Sequence, residues 1–506
     1  MRFLRDGCAH RRELPEIFHE KTQSMRKNAR KNTSEQNFAL HPRIVFASSV
    51  TAIDYRRSRM REMIWPQMFF FCLVLFASCT GPAKIATIQK YTPLDTLLSD
   101  TTLASSFAGV SVYDPLTKTF LYNYNSDKYF TPASNTKILT CYAAMKYLKH
   151  ILPAIKYYEN DTAIYLIPTG DPTLLHPDFK DQPLIRMLQA EKKKIYITDR
   201  NWKDKELGSG WSWDDFNDDY MAERNAFPVY GNRIRFIQQT LKGMGMDTAS
   251  SVSVYSDPEV NWKVRFVTDS NDGKFFVQRD RDTNIFHVSQ GSDGYKEQLV
   301  PFRVNGIRSS LELLRDTIGK EIQITDHFTV ADPLPKLIWS QPVDSVLKPM
   351  MYRSDNFFAE QFLLMVSEER LGVMSAPLII DTLLKKDLAD LPAKPLWVDG
   401  SGVSRYNLIT PRSFVALLEK MRVEFGMDRI RNIFAHGDTG TLKGYYNKGG
   451  DYLFAKTGTL TGVVALSGFL YTRTNRLLIF SVIVNNFKGS PRPVRRKVEY
   501  FLESLR

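Results

Sequence analysis

The 506-residue chain is poor in cysteine, and the four it has, Cys8, Cys72, Cys79 and Cys141, stand in no metal-type spacing. Only Cys141 falls inside the globular part, which excludes a disulfide framework. It follows Ser134 by seven residues in an apolar helical pattern and reads as a small buried hydrophobe. Apolar runs of membrane-spanning length are also missing. Met68–Ser78 offers eleven uncharged residues, short of the roughly 20 that a spanning helix needs. The eight histidines are scattered, with no H-E-x-x-H and no Cys/His zinc spacing, so no metal is expected. No P-loop or G-x-G-x-x-G occurs, so no cofactor is expected, and the G-x-S-x-G of a nucleophile elbow is lacking too. His436, in Phe434–Gly440, reads as a polar loop residue.

Dense basic runs are absent as well. The formal charge is +13, from 68 Lys/Arg against 55 Asp/Glu. Residues 1–62 hold 14 basic and 7 acidic side chains (+7) and residues 63–78 none, leaving 54 against 48 (+6) from Cys79 onward. That mild excess suits a weak attraction to an acidic polymer, and nucleic acid is not indicated as a partner. With 43% hydrophobic, 12% aromatic and 24% charged residues the chain reads as folded, with a prior of roughly three domains.

The short apolar run is instead sized for a signal-peptide h-region. Ala77 and Ser78 directly before Cys79 resemble a lipobox, with Phe76 where leucine is commoner, and predict lipidation of Cys79 and a membrane anchor. Arg57, Arg59 and Arg61 precede the run, and Met60 and Met63 stand just before it. Residues 1–59 therefore read as a non-native or removed extension, and 60–79 as the signal peptide.

Beyond a polar tether, Phe107–Tyr113 and Thr119–Tyr124 are strand-like runs around an Asp114-Pro115 turn, a predicted hairpin. Thr131-Pro132-Ala133 precedes a helix opening at Ser134, with Ile138, Leu139, Tyr142, Met145 and Leu148 at helical spacing. From about 155 to 340 the texture is aromatic and Asp/Asn/Gly-rich, with a β-rich stretch at about 236–298 and a helix over Ile307–Ile318. After about 342 the pattern predicts amphipathic helices over Asn356–Glu369 and Pro411–Val423. Strands over Val463–Tyr471 and Leu477–Val484 and a last helix over Pro493–Leu505 follow. Strands flanked by helices at both chain ends, with different material between, predict a split α/β (α+β) domain.

Three motifs fall in order: Ser134-Asn135-Thr136-Lys137, Ser354-Asp355-Asn356 and Lys456-Thr457-Gly458. S-x-x-K recurs at Ser24–Lys27 and Ser345–Lys348, but only Ser134 begins an apolar helix. A serine hydroxyl needs a base, and i and i+3 share a helix face, so Lys137 can take the Ser134 proton. It can do so only if burial or a second cation lowers its pKa, and Lys456 is the candidate cation. Ser354 and Asn356 would complete the hydrogen-bond network. The backbone amides of Ser134 and Thr459 would serve a tetrahedral oxyanion. Lys456, Thr457 and Thr459 would then bind the substrate's terminal carboxylate, with Gly458 beside them among the substrate-binding residues.

S-x-x-K, S-x-N and K-T-G together occur in penicillin-binding proteins and β-lactamases. Over about residues 105–500 the chain resembles the D-alanyl-D-alanine carboxypeptidase/endopeptidase group of low-molecular-mass penicillin-binding proteins. The similar segments include Gly170–Leu174, Gly210–Asp215, Gly440-Thr441-Leu442 and Asp399–Asn407 (DGSGVSRYN) with Thr410-Pro411. The 220 residues between Ser134 and Ser354 exceed a β-lactamase's short gap and match the family's inserted domains. The resemblance implies a serine β-lactamase/DD-peptidase-like transpeptidase domain, an antiparallel sheet flanked by helices, over 80–155 and 342–506. The insert, 156–341, would itself carry the β-rich stretch. It implies peptidoglycan stem peptides as substrates, β-lactams as acylating ligands and a place in the cell envelope. Trp211, Asp214 or Asp215, and Arg405 would line a pocket for the diaminopimelate side chain. For Trp211 and Trp213 a place in the core stands as the alternative, and for Arg405 a structural salt bridge. Rival functions are a β-lactamase-like hydrolase and a catalytically weak envelope scaffold.

Overall fold

The computed structural model describes residues 92–241, 251–267, 273–326 and 334–506. Cys79, the apolar run before it and the N-terminal extension lie outside the described residues.

The chain ends meet in one six-stranded antiparallel sheet. Its spatial order is Ala435–His436, Leu453–Leu460, Val463–Tyr471, Leu477–Asn485, Phe107–Asp114 and Thr119–Tyr124. Phe107 pairs with Asn485 and Tyr113 with Ile479, so the first strand is seated on the last. Val463–Tyr471 and Leu477–Asn485 are buried almost throughout. Their apolar sequence, interrupted by the hydrogen-bonded pair Ser467 and Ser481 and by the terminal Asn485, follows from that, because a strand covered on both faces has no polar side to alternate with. One face carries the C-terminal helix Pro491–Ser504 through Val494, Val498, Phe501 and Leu502. Helix Pro411–Phe425 lies against the other, through Phe414, Leu417 and Leu418. Thr410 caps that helix by accepting from Ser413 N at 3.1 Å, and Pro411 fills the first turn, where a missing N–H costs nothing.

Between the two parts of this sheet the chain forms a five-stranded mixed sheet that starts at Ile151 and ends at Pro342. Strands Arg233–Leu241, Ser251–Asp257 and Tyr295–Pro301 form a three-stranded sheet. Val264–Phe266, Phe276–Arg279 and Phe286–Ser289 form another. Phe236, Phe286, Trp262 and Phe302 pack ring against ring there. Among the described residues no helix is long and apolar enough to cross a membrane.

Two local expectations need correction. Helix Asn356–Leu371 is not amphipathic: every residue from Phe357 to Glu368 is buried. Helices Lys137–Tyr147, Val343–Tyr352 and Ala376–Lys385 surround it. Its polar side chains are matched inside the protein, Glu360 by Arg224 and Glu368 by Lys156. The segment opening at Ser134 is also not α-helical from its first residue, because Ala133–Thr136 is a 3₁₀ turn and the α-helix starts at Lys137. The second S-x-x-K copy lies on Val343–Tyr352, where Ser345 caps back to Pro342 O and Lys348 sits over the Tyr352 ring.

Candidate active site

The turn that carries Ser134 is held from three sides. Ala133, fully buried, has φ +49°, and its carbonyl accepts from Thr136 Oγ1 at 2.9 Å. Asn135 donates from Nδ2 to Ser467 Oγ at 2.8 Å, tying the turn to the middle of the large sheet. A Cβ on Gly458 would come within 2.5 Å of the Pro132 carbonyl oxygen. The third motif therefore needs glycine where its strand passes the nucleophile turn. Ser134 itself is half-buried and faces a cleft.

Lys137 is fully buried, and its Nζ has three oxygens within reach. They are Ser134 Oγ at 3.1 Å, Asn356 Oδ1 at 2.6 Å and the Ser401 carbonyl at 2.6 Å. An ammonium donates to all three. A neutral amine keeps two N–H bonds and one lone pair. Asn356 Oδ1 and Ser401 O can only accept, so they take the two hydrogens. The lone pair is left for Ser134, the one partner that can donate. Burial pushes the Lys137 pKa down to about 8, against the opposing pull of Asp399, Glu360 and Asp355. Burial is thus the main cause.

That second cation, Lys456, is itself pushed well below the ordinary lysine range, first by burial and then by repulsion from Lys137 and Arg495. Its Nζ donates to Ser354 Oγ at 2.8 Å and to the Thr457 carbonyl at 2.7 Å. Ser354 has φ +65°, a left-handed conformation uncommon for serine. Asp355 next to it caps the buried helix, accepting from Phe358 N at 3.0 Å. Asn356 follows as the first helical residue, with Oδ1 on Lys137 and Nδ2 on the Tyr220 carbonyl at 3.1 Å.

The loop at Asp399–Asn407 is organised by one carboxylate. Asp399 accepts from Gly402 N at 2.8 Å, Ser404 N at 2.7 Å, Asn407 Nδ2 at 2.7 Å and Trp211 Nε1 at 2.9 Å. Ser401 N donates to Glu360 at 2.7 Å and Thr140 Oγ1 to the Gly400 carbonyl at 2.7 Å. The motif's Asp, Gly, Ser and Asn thus fix a tight loop that delivers the Ser401 carbonyl to Lys137.

The cleft beyond Ser134 has a volume of about 640 Å³, and Asp215, Tyr220, Asn356, Arg405 and Thr459 are among its walls. Arg405 is exposed, donates to the Thr461 carbonyl at 3.1 Å and forms no ion pair among the described residues. Trp211 is not in this wall. Its indole is tied to Asp399, with the Arg224 guanidinium 5.6 Å from its ring. Asp214 is exposed and accepts from Ser212, and Trp213 is exposed beside Arg281. A second cavity, of about 330 Å³, joins Ser134 and Ser354 to Thr457, Thr459, Thr441 and Arg495. Sequence reasoning passed over Arg495, whose place depends on how the last helix packs on the sheet. Thr441, in the Gly440-Thr441-Leu442 segment, accepts from the Thr457 hydroxyl at 2.7 Å.

The chain is similar in sequence and fold to known proteins. D-alanyl-D-alanine carboxypeptidase DacB of Haemophilus influenzae is 24% identical over 416 residues, 72% of this chain and 82% of the relative. A D-alanyl-D-alanine carboxypeptidase of an Actinomadura species is 24% identical over 452 residues, 79% of this chain and 81% of its own. In fold the chain is similar to the crystal structure of penicillin binding protein 4 from H. influenzae. The TM-score is 0.65 at 20% identity, covering 82% of this chain and 98% of that one. A structure of that protein with a β-lactam bound gives 0.59 at 18% identity, with the same coverage. The sequence pattern of the D-Ala-D-Ala carboxypeptidase 3 (S13) family matches residues 91–503, which takes in both parts of the large sheet and all three motifs. The chain therefore belongs to the D-Ala-D-Ala carboxypeptidase 3 (S13) family.

Proposed function

We propose that this cleft cleaves D-alanyl-D-alanine bonds of peptidoglycan stem peptides through an acyl-enzyme on Ser134. The observation that carries the reading is the buried Lys137 amine, whose two carbonyl partners leave its lone pair for Ser134 Oγ. Ser134 Oγ attacks the scissile carbonyl and Lys137 takes its proton. The backbone amides of Ser134 and Thr459 hold the oxyanion. The proton now on Lys137 passes to the leaving amine through the Ser354 hydroxyl, which Lys456 orients, and Lys137 is neutral again. Water then hydrolyses the ester with Lys137 again as base. Asp215 and Arg405, on the cleft wall, receive the charged diaminopimelate end of the stem. Trp211 stands outside the wall on Asp399, and Asp214 accepts from Ser212 of the wall.

A β-lactam is the diagnostic ligand, since a bound β-lactam is described for the H. influenzae relative. Intact-mass analysis after incubation with penicillin should show one adduct, on Ser134, and Ser134→Ala should take up none while keeping its circular dichroism. An adduct on the alanine variant would move the nucleophile elsewhere. Slow release of the adduct separates a DD-peptidase from a β-lactamase-like hydrolase, and absence of any adduct would favour a scaffold.

We further propose a transpeptidase-like domain in two parts, 80–155 and 342–506, with an insert at 156–341. The five-stranded sheet between Ile151 and Pro342 supports that division to within a few residues. The lipobox at Cys79 supports a lipoprotein on the periplasmic side of a membrane. Mature protein should begin at lipidated Cys79, and Cys79→Ser should leave an unprocessed precursor. Mature protein that starts elsewhere would remove the anchor from this account.

A further inference from the structure

A third cavity, of about 390 Å³, shares Ser354 with the small cavity and Tyr220 and Asn356 with the large cleft. Arg233 and Arg235 stand two apart on strand Arg233–Leu241, so they share the face that lines it, while Ile234 and Phe236 are buried on the other. Arg353 joins them from the end of helix Val343–Tyr352, directly before Ser354. Two of the three carboxylates in this wall are engaged. Asp178 accepts from Arg353 at 2.5 Å, and Asp355, which caps the buried helix, has Arg233 and Arg353 each 3.8 Å away. The third, Asp219, is exposed. Arg235 is half-buried and forms no ion pair among the described residues. His176, buried against the rings of Phe179 and Phe358, is kept neutral because burial pushes its pKa down to about 4. Its Nδ1 accepts from Asp178 N at 3.2 Å, which leaves the ring hydrogen on Nε2. That N–H and the Nε–H of Arg233 are both buried with no acceptor among the described residues. Both orphans in the wall are donors, and with Arg235 beside them they call for an anion.

On the reading of Ser134 as nucleophile, we infer that this third cavity is an exosite for cross-linked substrates, in which Arg235, His176 and Arg233 hold the glutamyl carboxylate of the departing stem peptide. The departing amine passes Ser354, whose hydroxyl hands it a proton, and Ser354 is the side chain that the small cavity and the third one share. A stem peptide is far larger than a single D-alanine, so it continues past Ser354 into the next available space. Its glutamyl residue, linked through the side chain, keeps a free α-carboxylate, which suits a guanidinium flanked by two N–H donors. Terminal D-alanine has one carboxylate only, next to the scissile bond, and offers this cavity nothing. The exosite therefore favours cleavage of cross-links over terminal trimming without touching the reacting atoms.

The test uses the whole mature protein and three substrates. They are a stem pentapeptide ending in D-Ala-D-Ala, a cross-linked dimer of two stems, and the same dimer with the glutamyl carboxylate of its departing stem amidated. The wild type should cleave the plain dimer about tenfold faster in kcat/KM than the amidated one, mostly through KM, as one charge-assisted contact implies. Arg235→Gln should lose about tenfold on the plain dimer and cleave the two dimers alike. Its pentapeptide cleavage and penicillin acylation should stay within about twofold of the wild type, and Arg235→Lys should recover part of the dimer rate. Equal losses on all three substrates would make Arg235 a structural residue and overturn the inference. A wild type indifferent to the amidation, or one that trims the pentapeptide and leaves the dimer intact, overturns it without any variant. A wild type that cleaves none of the three and takes no penicillin on Ser134 instead brings down the serine-hydrolase reading, and this inference with it.

Discussion

Gly402 stands so close to Ala133 that a Cβ built on it would lie 2.0 Å from the Ala133 carbonyl oxygen. Gly402 has φ +84° and belongs to the loop that Asp399 organises, while Ala133 is the residue before the nucleophile. Backbone rests on backbone here, so neither partner can yield by a rotamer change. Gly402→Ala should displace the nucleophile turn as well as strain its own backbone by about 1–2 kcal/mol. We expect penicillin acylation to slow by about 100-fold or more, since misplacement by about 1 Å has that effect. Stopped-flow labelling would measure it, and a near-normal rate would show that the turn is held by other contacts.

The pH dependence of acylation should follow Lys137. The active form is the neutral amine, and burial sets its pKa at about 8. The rate should therefore rise as pH increases through about 8 and level off above it. Lys137→Arg should be nearly inactive at every pH in this range, because a guanidinium keeps its proton. A flat profile between pH 6 and 9 would assign the base to another group.

Asn356→Asp tests the same amine from the other side. It places a carboxylate where Oδ1 now lies 2.6 Å from Nζ, which favours the ammonium form. The rise in the pH–rate profile should move to higher pH by about 1–3 units, with little activity left at neutrality. An unmoved profile would separate Asn356 from the titrating group.

Trp211 and Arg405 should respond in opposite ways. Trp211→Phe keeps a ring but removes the N–H on the buried Asp399, and should cost about 1–3 kcal/mol of stability in urea unfolding. Its preference for diaminopimelate over lysine peptides should stay unchanged. Arg405→Ala leaves the exposed side of the cleft with one donor fewer. It should raise KM for diaminopimelate peptides by about tenfold with little change in stability. Exchange of these two outcomes would return Trp211 to the pocket wall.

The reactive groups were legible in the sequence because each motif packs its chemistry into three or four consecutive residues. Ser134 and Lys137 are one turn apart, and Ser354 and Asn356 flank a helix cap. What joins the motifs was not legible, since the distances between them depend on how distant segments pack. Asp399 looked like part of a family segment, whereas its carboxylate gathers two backbone amides, Asn407 and Trp211. Asn356–Leu371 has the periodicity of an amphipathic helix. Its supposed outer face is instead satisfied by Arg224, Lys156 and the Gly170 and Asn225 carbonyls, which only the folded insert brings near. Arg495 was hidden in a basic stretch, Arg492–Lys497, where nothing local distinguishes one arginine from the next.

The seating of strand Phe107–Asp114 on Leu477–Asn485 also governs when this enzyme can first work. A chain made from its N-terminus holds Ser134 and Lys137 early, but the strand beside Phe107–Asp114 emerges only some 370 residues later. Until then that strand has an open edge toward the missing partner, and Arg495 follows later still. Closure of such a long loop is slow, because its entropy is lost before the pairing energy is gained. Activity therefore switches on only as the last two strands and the C-terminal helix dock. A nascent or C-terminally clipped chain carries a complete S-x-x-K motif with no catalytic competence.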